Sequence, residues 1–316
     1  MWFKNLCVLQ INDPFELAPE MLHENLLENA ARKCGPLETS TFGWTTPLGK
    51  DGNMLVHAAM GYNMLTARKE VKLLPSSVIR HFAGERIHEI EQAQNRKVGA
   101  RERAKIREEI TMELLPRAFH RIQDLYGYID IKNQLIIIDT SNIKKADSFL
   151  ELLRLSLGSF NITWPTVKKS PNHVMSEWLM NREVPQGFTL DDVCELINRK
   201  GDGSIVKCVK QDMTSDEIVE HLKAGKQVTQ LALTWEDRIS FVLSDNLMIK
   251  RLRFLDLIMS EARDAQAESA VERFDADFAI MTSAVSGLLT AVFDLFGGLG
   301  DAEPQSVEPV EELAAA

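Results

Sequence analysis

The chain has 316 residues, of which 45% are hydrophobic and 26% charged, with a formal net charge of −10 at pH 7. This composition excludes a fibrous or wholly disordered protein and leaves room for roughly one large core or a few smaller ones. Residues 1–14 do not match a secretory signal, and the uncharged stretch 279–293 is too short to span a membrane. We therefore expect a soluble globular protein without a membrane partner.

The four cysteines, at positions 7, 34, 194 and 208, are far apart, with no CxxC pair and no His at ligand spacing. This pattern predicts neither a zinc site nor a disulfide framework, and reduced thiols in a cytoplasm are the simplest interpretation. No cofactor is indicated.

Charge is distributed unevenly along the chain. Residues 254–316 carry thirteen Asp and Glu against two Arg, a net of −11, whereas residues 66–124 carry thirteen Lys and Arg against nine acids, a net of +4. Within 96–107, six basic residues face one Glu. The total charge therefore does not exclude an anionic partner, because the basic segments can still concentrate on one surface.

The first half of the chain predicts both strands and helices. Residues 2–11 read as a strand, and a helix is predicted from Pro19 to Lys33. A turn-rich stretch follows at 41–53, and residues 55–74 predict a pair of strands.

Two further helices flank the basic run. The first follows Pro75, and its apolar side consists of Ile79, Ala83, Ile87 and Ile90. The second has one apolar row that ends before Pro116, formed by Ile106, Ile110 and Leu114.

The second half continues in the same mixed manner. Residues 126–140 predict two short strands, followed by a helix from Lys144 to Leu157. The remaining predicted strands are 160–164, 204–211, 228–235, 238–244 and 247–254. Between them lie a helix near Val174 to Met180 and a helix that Thr214 and Glu217 cap and Gly225 ends.

The last predicted helix, from Val271 to Leu295, has apolar residues spaced alternately three and four apart in a single seam. The seam can be a contact between subunits, but packing against the chain's own sheet is favoured, because amphipathic helices usually cover a core. Gly297 and Gly298 end the helix, and residues 297–316 predict a disordered acidic tail.

The mixture of elements without strict alternation predicts an α+β fold with largely antiparallel sheets and flanking helices. We divide the chain into an N-terminal α+β part at 1–75, a basic helical part with a short strand pair at 76–165, and a C-terminal α+β part at 166–296, before the tail at 297–316.

Catalytic motifs are missing or incomplete. The segment 43–51 resembles a phosphate-binding loop, but its glycines have the wrong spacing, Asp51 replaces the hydroxyl residue and Pro47 removes an amide donor. Asp275 and Asp277 could suggest a divalent metal, yet residues two apart on a helix point in different directions. We predict that the protein is not an enzyme.

The basic residues are the remaining candidates for a site, since Lys and Arg neutralise phosphates without reading sequence. The alternative interpretation is a set of solvated helix faces, which is the usual role of such runs. The candidate DNA-binding residues are Arg68, Lys69, Lys72, Arg80, Arg96, Lys97, Arg101, Arg103, Lys105, Arg107, Arg117, Arg121, Lys144, Lys145, Lys250, Arg251 and Arg253.

Several stretches, in order, resemble the bacterial recombination-associated RdgC family. They are WFKNL, GWTTPLG, ARKEVKLLPSSVI, LLPRAFHR, KKA, LLRLSLGS, QGFTL, KQDMTSDEI, AGKQVTQLAL and RFDADFAIMT. The resemblance runs from about residue 1 to 296, which is nearly the whole chain apart from the tail.

The resemblance implies a nucleoid-associated cytoplasmic protein that binds double-stranded DNA without sequence preference, with single-stranded DNA as a further partner. It also implies negative modulation of RecA-dependent recombination and a horseshoe-shaped subunit that forms a ring-shaped homodimer around duplex DNA. A competing hypothesis is a protein that inhibits RecA by direct contact, with the last helix and the acidic tail as its binding elements.

By position, the resemblance places one contact between subunits at Phe119 and a second at Lys210 and Gln211. From the residues alone, Phe119 is better interpreted as a core residue, because Phe is commonly buried. Lys210, at the end of a predicted strand, could equally be a solvated lysine.

Overall fold

The computed structural model describes residues 1–199, 201–265 and 267–300. The described strands are β1 (Cys7–Ile11), β2 (Ser40–Thr45), β3 (Val56–Ala59), β4 (Tyr62–Leu73), β5 (Phe119–Asp130), β6 (Leu135–Ile138), β7 (Ile162–Thr163), β8 (Phe188–Ile197), β9 (Ile205–Val209), β10 (Gln227–Trp235), β11 (Ile239–Ser244) and β12 (Ile249–Phe254). The described α-helices are α1 (Pro19–Leu27), α2 (Ser76–Gln94), α3 (Ala100–Leu114), α4 (Ile143–Leu157), α5 (Pro171–Asn181), α6 (Asp216–Lys223), α7 (Asp256–Asp264) and α8 (Ala270–Leu295).

The first sheet has seven strands in the order β2-β4-β5-β6-β1-β7, and β3 also pairs with β4. Strands β4 and β5 form an antiparallel ladder that runs from Tyr62 opposite Asp130 to Leu73 opposite Phe119. Strand β6 pairs only with residues 127–130 of β5, so the other end of the ladder extends beyond it. This extension carries many of the predicted site residues.

The second sheet has five strands in the order β12-β11-β10-β8-β9, and its ladders are antiparallel. An antiparallel bridge joins it to the first sheet, with the N–H of Leu6 2.8 Å from the carbonyl of Ile249 and the reverse bond at 3.0 Å. The predicted α+β fold with largely antiparallel sheets is confirmed. The bridge connects its two sheets.

Strand alternation gives the first sheet two buried faces. Leu65, Ala67 and Ile129 face one hydrophobic cluster with α1 and α4, in which Trp44 meets Phe149 edge-on at 5.1 Å between ring centroids. On the opposite face, residues such as Met64 and Tyr128 join a larger cluster with α5, α6, α8 and the second sheet. The first sheet is therefore a middle layer.

Helix α8 supplies the centre of the larger cluster. Ser269 caps it by accepting a hydrogen bond from the backbone N–H of Glu272 at 3.1 Å. The predicted seam is buried along most of its length, at Phe278, Met281, Val285, Leu288 and Val292. By length and composition α8 could cross a membrane, but half of its most apolar window is buried inside the molecule. The prediction that the seam packs against the chain's own sheet is confirmed.

Helices α2 and α3 form a hairpin with a separate small core. Its buried residues are Ala83, Val98, Ile106 and Ile110. The two predicted apolar rows thus face each other, and the core that joins the two helices is a thin layer.

Several predicted boundaries are wrong. The helix predicted at 19–33 ends at Leu27, and the turn-rich stretch at 41–53 begins within strand β2. The capping box at Thr214 is absent, because Ser215 is the N-cap of α6 and Asp212 accepts from both the backbone N–H and the hydroxyl of Thr214.

The first residues of the predicted tail, 297–300, contact the rest of the chain, so the prediction of disorder is wrong for them. The backbone N–H of Gly300 donates to the carbonyl of Thr166 at 2.8 Å, and Leu299 bridges to Val167. Residues 301–316 lie outside the described residues. The division at residues 75, 165 and 296 stays a prediction.

Candidate nucleic-acid interface

The basic run at 96–107 lies at the turn of the α2–α3 hairpin and along α3, and about half of its charge is paired. Both terminal nitrogens of Arg96 bond to Glu102 at 2.7 Å. Arg103 donates to the carbonyl of Val98 at 3.0 Å and to Glu91 at 3.2 Å, and Lys105 lies 3.7 Å from Glu109. These ion pairs are exposed, so each contributes little to stability.

Two of the carboxylates in these pairs, Glu102 and Glu91, have lowered pKa values. The hydrogen bond from Arg96 lowers the pKa of Glu102, and the bond from the backbone N–H of Val98 lowers the pKa of Glu91. By contrast, Lys97, Arg101 and Arg107 are exposed and have no ion pair among the described residues. Those three cations are the part of the run that can meet phosphate at no cost in internal pairing.

The outer half of the β4–β5 ladder presents two faces, because side chains alternate along each strand. On one face Arg68 bonds to both oxygens of Asp124 at 2.7 Å, and Glu70 contacts His120. Lys72 is buried on this face, and its ammonium donates to the carbonyls of Gly35 at 2.7 Å and Pro36 at 2.6 Å. Lys72 is therefore turned away from any external ligand.

The other face of the same ladder carries cations without carboxylate partners among the described residues. The register places Lys69 opposite Gln123 and Arg121 opposite Val71, and Lys69 and Arg121 are exposed. Phe119 lies on this face at the end of β5, directly opposite Leu73. The remaining candidates near this region, Arg80 on α2 and Arg117 in the 3₁₀ turn before β5, are also exposed.

Phe119 is 83% exposed, and Leu73 and Ile122 are 45% and 57% exposed. Phe119 is thus not buried in its own subunit, so the interpretation favoured from the residues alone is wrong. Phe119 and Leu73, opposite each other at the end of the ladder, form an exposed apolar patch of the kind that marks contacts with other molecules, whereas Ile122 lies on the opposite face of the sheet.

Helix α4 adds basic residues on the same side of the first sheet as Lys69. Asn142 caps the helix by accepting from the backbone N–H of Lys145 at 3.2 Å, which places Lys144 and Lys145 in its exposed first turn. Lys145 and Lys69 line the same cavity of about 680 Å³ between α4 and the sheet. Two candidates 76 positions apart in the sequence therefore converge on one cavity.

A second cavity, of about 720 Å³, lies on the second sheet and brings Lys210 and Gln211 together with Arg251 and Arg253. Lys210 and Arg251 have φ angles of 57° and 52°, and Arg251 lies at the irregularity in the β11–β12 register. The cavity also contains carboxylates, at Asp191, Asp192 and Asp212. Lys250, the last candidate, is partly buried next to Arg251.

Asp275 and Asp277, in the N-terminal half of α8, each lie beside a different basic group. The imidazole Nε2 of His57 lies 2.9 Å from Asp275, and the amino group of Met1 lies 3.0 Å from Asp277. Within residues 1–199, 201–265 and 267–300, no three His, Cys, Asp or Glu side chains are grouped as metal ligands. The two carboxylates thus bind different groups.

The family comparison covers almost the entire chain. A family model described as "Putative exonuclease, RdgC" matches residues 1–299. The chain belongs to the RdgC family. The resemblance stated from the sequence is confirmed.

Three RdgC relatives show how completely the chains correspond, and each bears the name "Recombination-associated protein RdgC". The protein of Aeromonas hydrophila is 40% identical over 307 residues, covering 97% of this chain and 100% of the relative. That of Psychromonas ingrahamii is 39% identical over 298 residues, covering 94% and 99%. That of Pseudomonas aeruginosa is 40% identical over 299 residues, covering 94% and 98%.

The RdgC match adds no residue roles, so the site rests on geometry. The structure brings together Lys69 with Lys145, and Lys210 with Arg251 and Arg253, whereas the run at 96–107 forms a third region on the hairpin. Sequence reasoning missed the uncharged residues that complete the first cavity, among them Phe42 and Gln123. These residues lie on β2 and β5, and only strand pairing brings them near Lys69.

Proposed function

We propose that this RdgC-family protein binds duplex DNA without sequence preference, as a ring-shaped homodimer, and thereby limits RecA-dependent recombination. The name of the relatives, which associates them with recombination, supports the biological role. The proposal places the protein in the cytoplasm, on the nucleoid. No catalytic step is part of it.

The observation that carries the proposal is a set of exposed cations that lack carboxylate partners within the described residues. These cations are Lys69, Arg80, Lys97, Arg101, Arg107, Arg117, Arg121, Lys145, Arg251 and Arg253. Unpaired Lys and Arg gain most from phosphate, because binding releases the counterions condensed on DNA and breaks no internal ion pair. The excess of acids at 254–316 does not oppose this, since charge acts locally.

The exposed apolar patch at Phe119 and Leu73 supports a contact between two copies of the chain. The same residues extend from the end of the β4–β5 ladder, where a partner can approach them. We propose Lys210 and Gln211 as a second contact, which would close the dimer into a ring. The cations would then face the enclosed DNA.

The competing hypothesis, direct inhibition of RecA by protein contact, loses one of its two supports. Its apolar seam on α8 is buried in the chain's own core, and only the start of the seam, with Val271 at 37%, is exposed. We therefore favour DNA binding.

The electrostatic part of the proposal is tested by measuring affinity for labelled duplexes of unrelated sequence at several salt concentrations. We expect equal affinities and a slope of log K against log salt of about −0.9 for each phosphate neutralised. An association that ignores salt, or that depends strongly on sequence, would overturn nonspecific DNA binding.

The dimer is tested with Phe119→Ala, compared with Leu37→Ala, which truncates another exposed side chain. Removing a central apolar contact should cost about 2 kcal/mol of dimer stability, whereas the control should leave the dimer unchanged. Sedimentation velocity across a dilution series gives the dissociation constant. If both variants dimerise like the original chain, Phe119 is not at the interface.

A further inference from the structure

The cavity of about 680 Å³ between the first sheet and α4 contains two basic residues, Lys69 and Lys145. The rest of its lining also has the size and composition of a ligand site. Sites for small molecules usually measure about 300–1,000 Å³ and combine apolar walls with a few convergent polar groups. The question is which ligand this combination of side chains would accept.

The sheet wall of the cavity is set by strand register. Phe42 on β2 lies opposite Lys69 on β4, which in turn lies opposite Gln123 on β5. Residues opposite each other in antiparallel strands point to the same face. An aromatic ring, an ammonium group and an amide therefore stand in one row across three strands, and Leu125 continues the wall along β5.

The helix wall follows from the period of α4. Lys145, Ser148, Leu152 and Leu155 are spaced three, four and three residues apart, so they lie along one side of the helix. This side has a basic end at Lys145 and an apolar end at Leu155, which is 69% exposed. The helix therefore offers a cation at one end of the cavity and an apolar surface at the other.

The carboxylates near the cavity leave the two ammonium groups free. Asp124 is bound by Arg68, and Asp139 accepts from the backbone N–H groups of Lys4 and Asn5 at 2.9 and 2.8 Å. Glu151 is the one carboxylate of the lining without a hydrogen bond or ion pair among the described residues. It can accept from an amino group on a ligand, while the lysines bind an anion.

We propose that this cavity binds a single nucleotide, with the phosphate at Lys69 and Lys145 and the base against Phe42, Leu125 and Leu155. A flat base suits an aromatic and aliphatic wall, as in proteins that bind unpaired strands. Glu151 and Gln123 face the polar edge of such a base and favour one with an exocyclic amino group. This inference rests on the proposed DNA binding and deepens it, because a stacked duplex cannot place a base in the cavity.

The same sheet face continues beyond the cavity to Arg121. Gln123 and Arg121 are two residues apart on β5 and share a face, about 7 Å along the strand. Arg121 is therefore placed to bind the next phosphate of a continuous strand, which a free nucleotide lacks. The cavity accordingly serves an unpaired nucleotide within a DNA strand.

The test uses the full-length chain and a labelled twelve-residue oligodeoxycytidylate, with a labelled duplex as the second probe. The variant Lys69→Gln with Lys145→Gln is compared with Lys50→Gln with Lys169→Gln, which removes two exposed lysines elsewhere. Two lost charge-assisted bonds predict single-strand affinity reduced about tenfold or more. Lys69 and Lys145 also belong to the cations proposed to face the duplex, so duplex affinity should fall as well, but clearly less than single-strand affinity, because the other exposed cations remain. Equal losses for the two probes would overturn the cavity assignment.

A separate variant, Leu155→Asp, places a carboxylate at the exposed rim and should weaken single-strand binding without affecting the fold. Arg121→Gln should weaken binding of the labelled oligonucleotide. It should leave unchanged the affinity for deoxycytidine monophosphate, measured by competition against that oligonucleotide. If Arg121→Gln has no effect and the mononucleotide competes fully, the ligand is a free nucleotide and the strand assignment is wrong.

The two proposals fail in different ways. If the original chain binds the duplex but the cavity variants bind the oligonucleotide normally, the cavity assignment is overturned and DNA binding stands. If the original chain binds neither probe, the proposed function itself is wrong.

Discussion

Helix α8 and the α2–α3 hairpin have the clearest patterns in the sequence, and the fold uses them in opposite ways. Helix α8 buries its seam in the largest hydrophobic cluster, between both sheets. The hairpin has a core of four buried residues with partly buried apolar residues around it, and its surface is covered with charge. The apolar seam of α8 is therefore not an interface, because the chain's own core packs against it. The basic run at 96–107 is not uniformly available to a ligand, because neighbouring carboxylates pair with part of it.

The largest expected effect is at α8. Leu288→Ala removes a fully buried side chain from the main cluster and should lower the free energy of unfolding by about 2–5 kcal/mol. Denaturant unfolding measures this loss. Thr290→Ala, at an exposed position on the same helix, is the control and should cost far less. A small loss for Leu288→Ala would show that α8 does not hold the two sheets together.

The matching change in the hairpin is Ile106→Ala, which deletes a similar side chain from the four-residue core. We expect hydrogen exchange to accelerate throughout α2 and α3, because the hairpin has few other contacts to hold it, while α8 keeps its protection. Loss of protection in both regions at once would mean that the hairpin and the main core unfold together.

Within the hairpin, paired and unpaired arginines should differ in DNA binding. Arg107→Gln removes a free cation and should reduce the salt slope by about 0.9, whereas Arg96→Gln removes one already bound to Glu102 and should change it less. Glu102→Gln should raise the affinity, since it releases Arg96. Equal effects of Arg96→Gln and Arg107→Gln would show that the ion pair opens when DNA binds.

The smallest expected effect concerns pH. Burial lowers the pKa of His57, which lies between Phe274 and Phe278 beside Asp275, and the carboxylate opposes this shift only in part. The unfolded chain then binds the proton more readily, so stability is lost as the pH falls from about 6.5 towards the lower pKa of the folded state.

His57→Gln should therefore make the melting temperature less sensitive to pH between about 7.5 and 5.5. His81→Gln, on the exposed surface of the hairpin, is the control and should behave like the original chain. A His57→Gln protein with the original pH dependence would assign the loss of stability to other groups.

The elements predicted correctly are those whose signal is local. Helices α2, α3, α4 and α8 have continuous apolar rows, and β10 and β11 alternate across a short turn. Strand β2 was missed because its Gly and Thr residues resemble a turn, and it becomes a strand only by pairing with β4. Strand β8 was missed too, and its ladder with β10 contains two register shifts that interrupt a simple alternation.

The candidate site was predicted as a set of charges but not as a geometry. Nothing near Lys72 in the sequence shows that its ammonium is bound by the carbonyls of Gly35 and Pro36. The pairing of Arg68 with Asp124 depends on strand register over 56 positions. Exposure of Phe119 likewise depends on where β5 begins, seven residues before the predicted start.

The bridge between Leu6 and Ile249 joins residues 243 positions apart, and Lys4 and Leu252 are bonded next to it. During synthesis, Leu6 must wait until β12 has been made before its backbone partner exists. Contacts between such distant parts of a chain form slowly, since a long loop must close first. The backbone groups of residues 4–6 therefore lack these partners until β12 has been made, and in the meantime they are open to pairing with other strands.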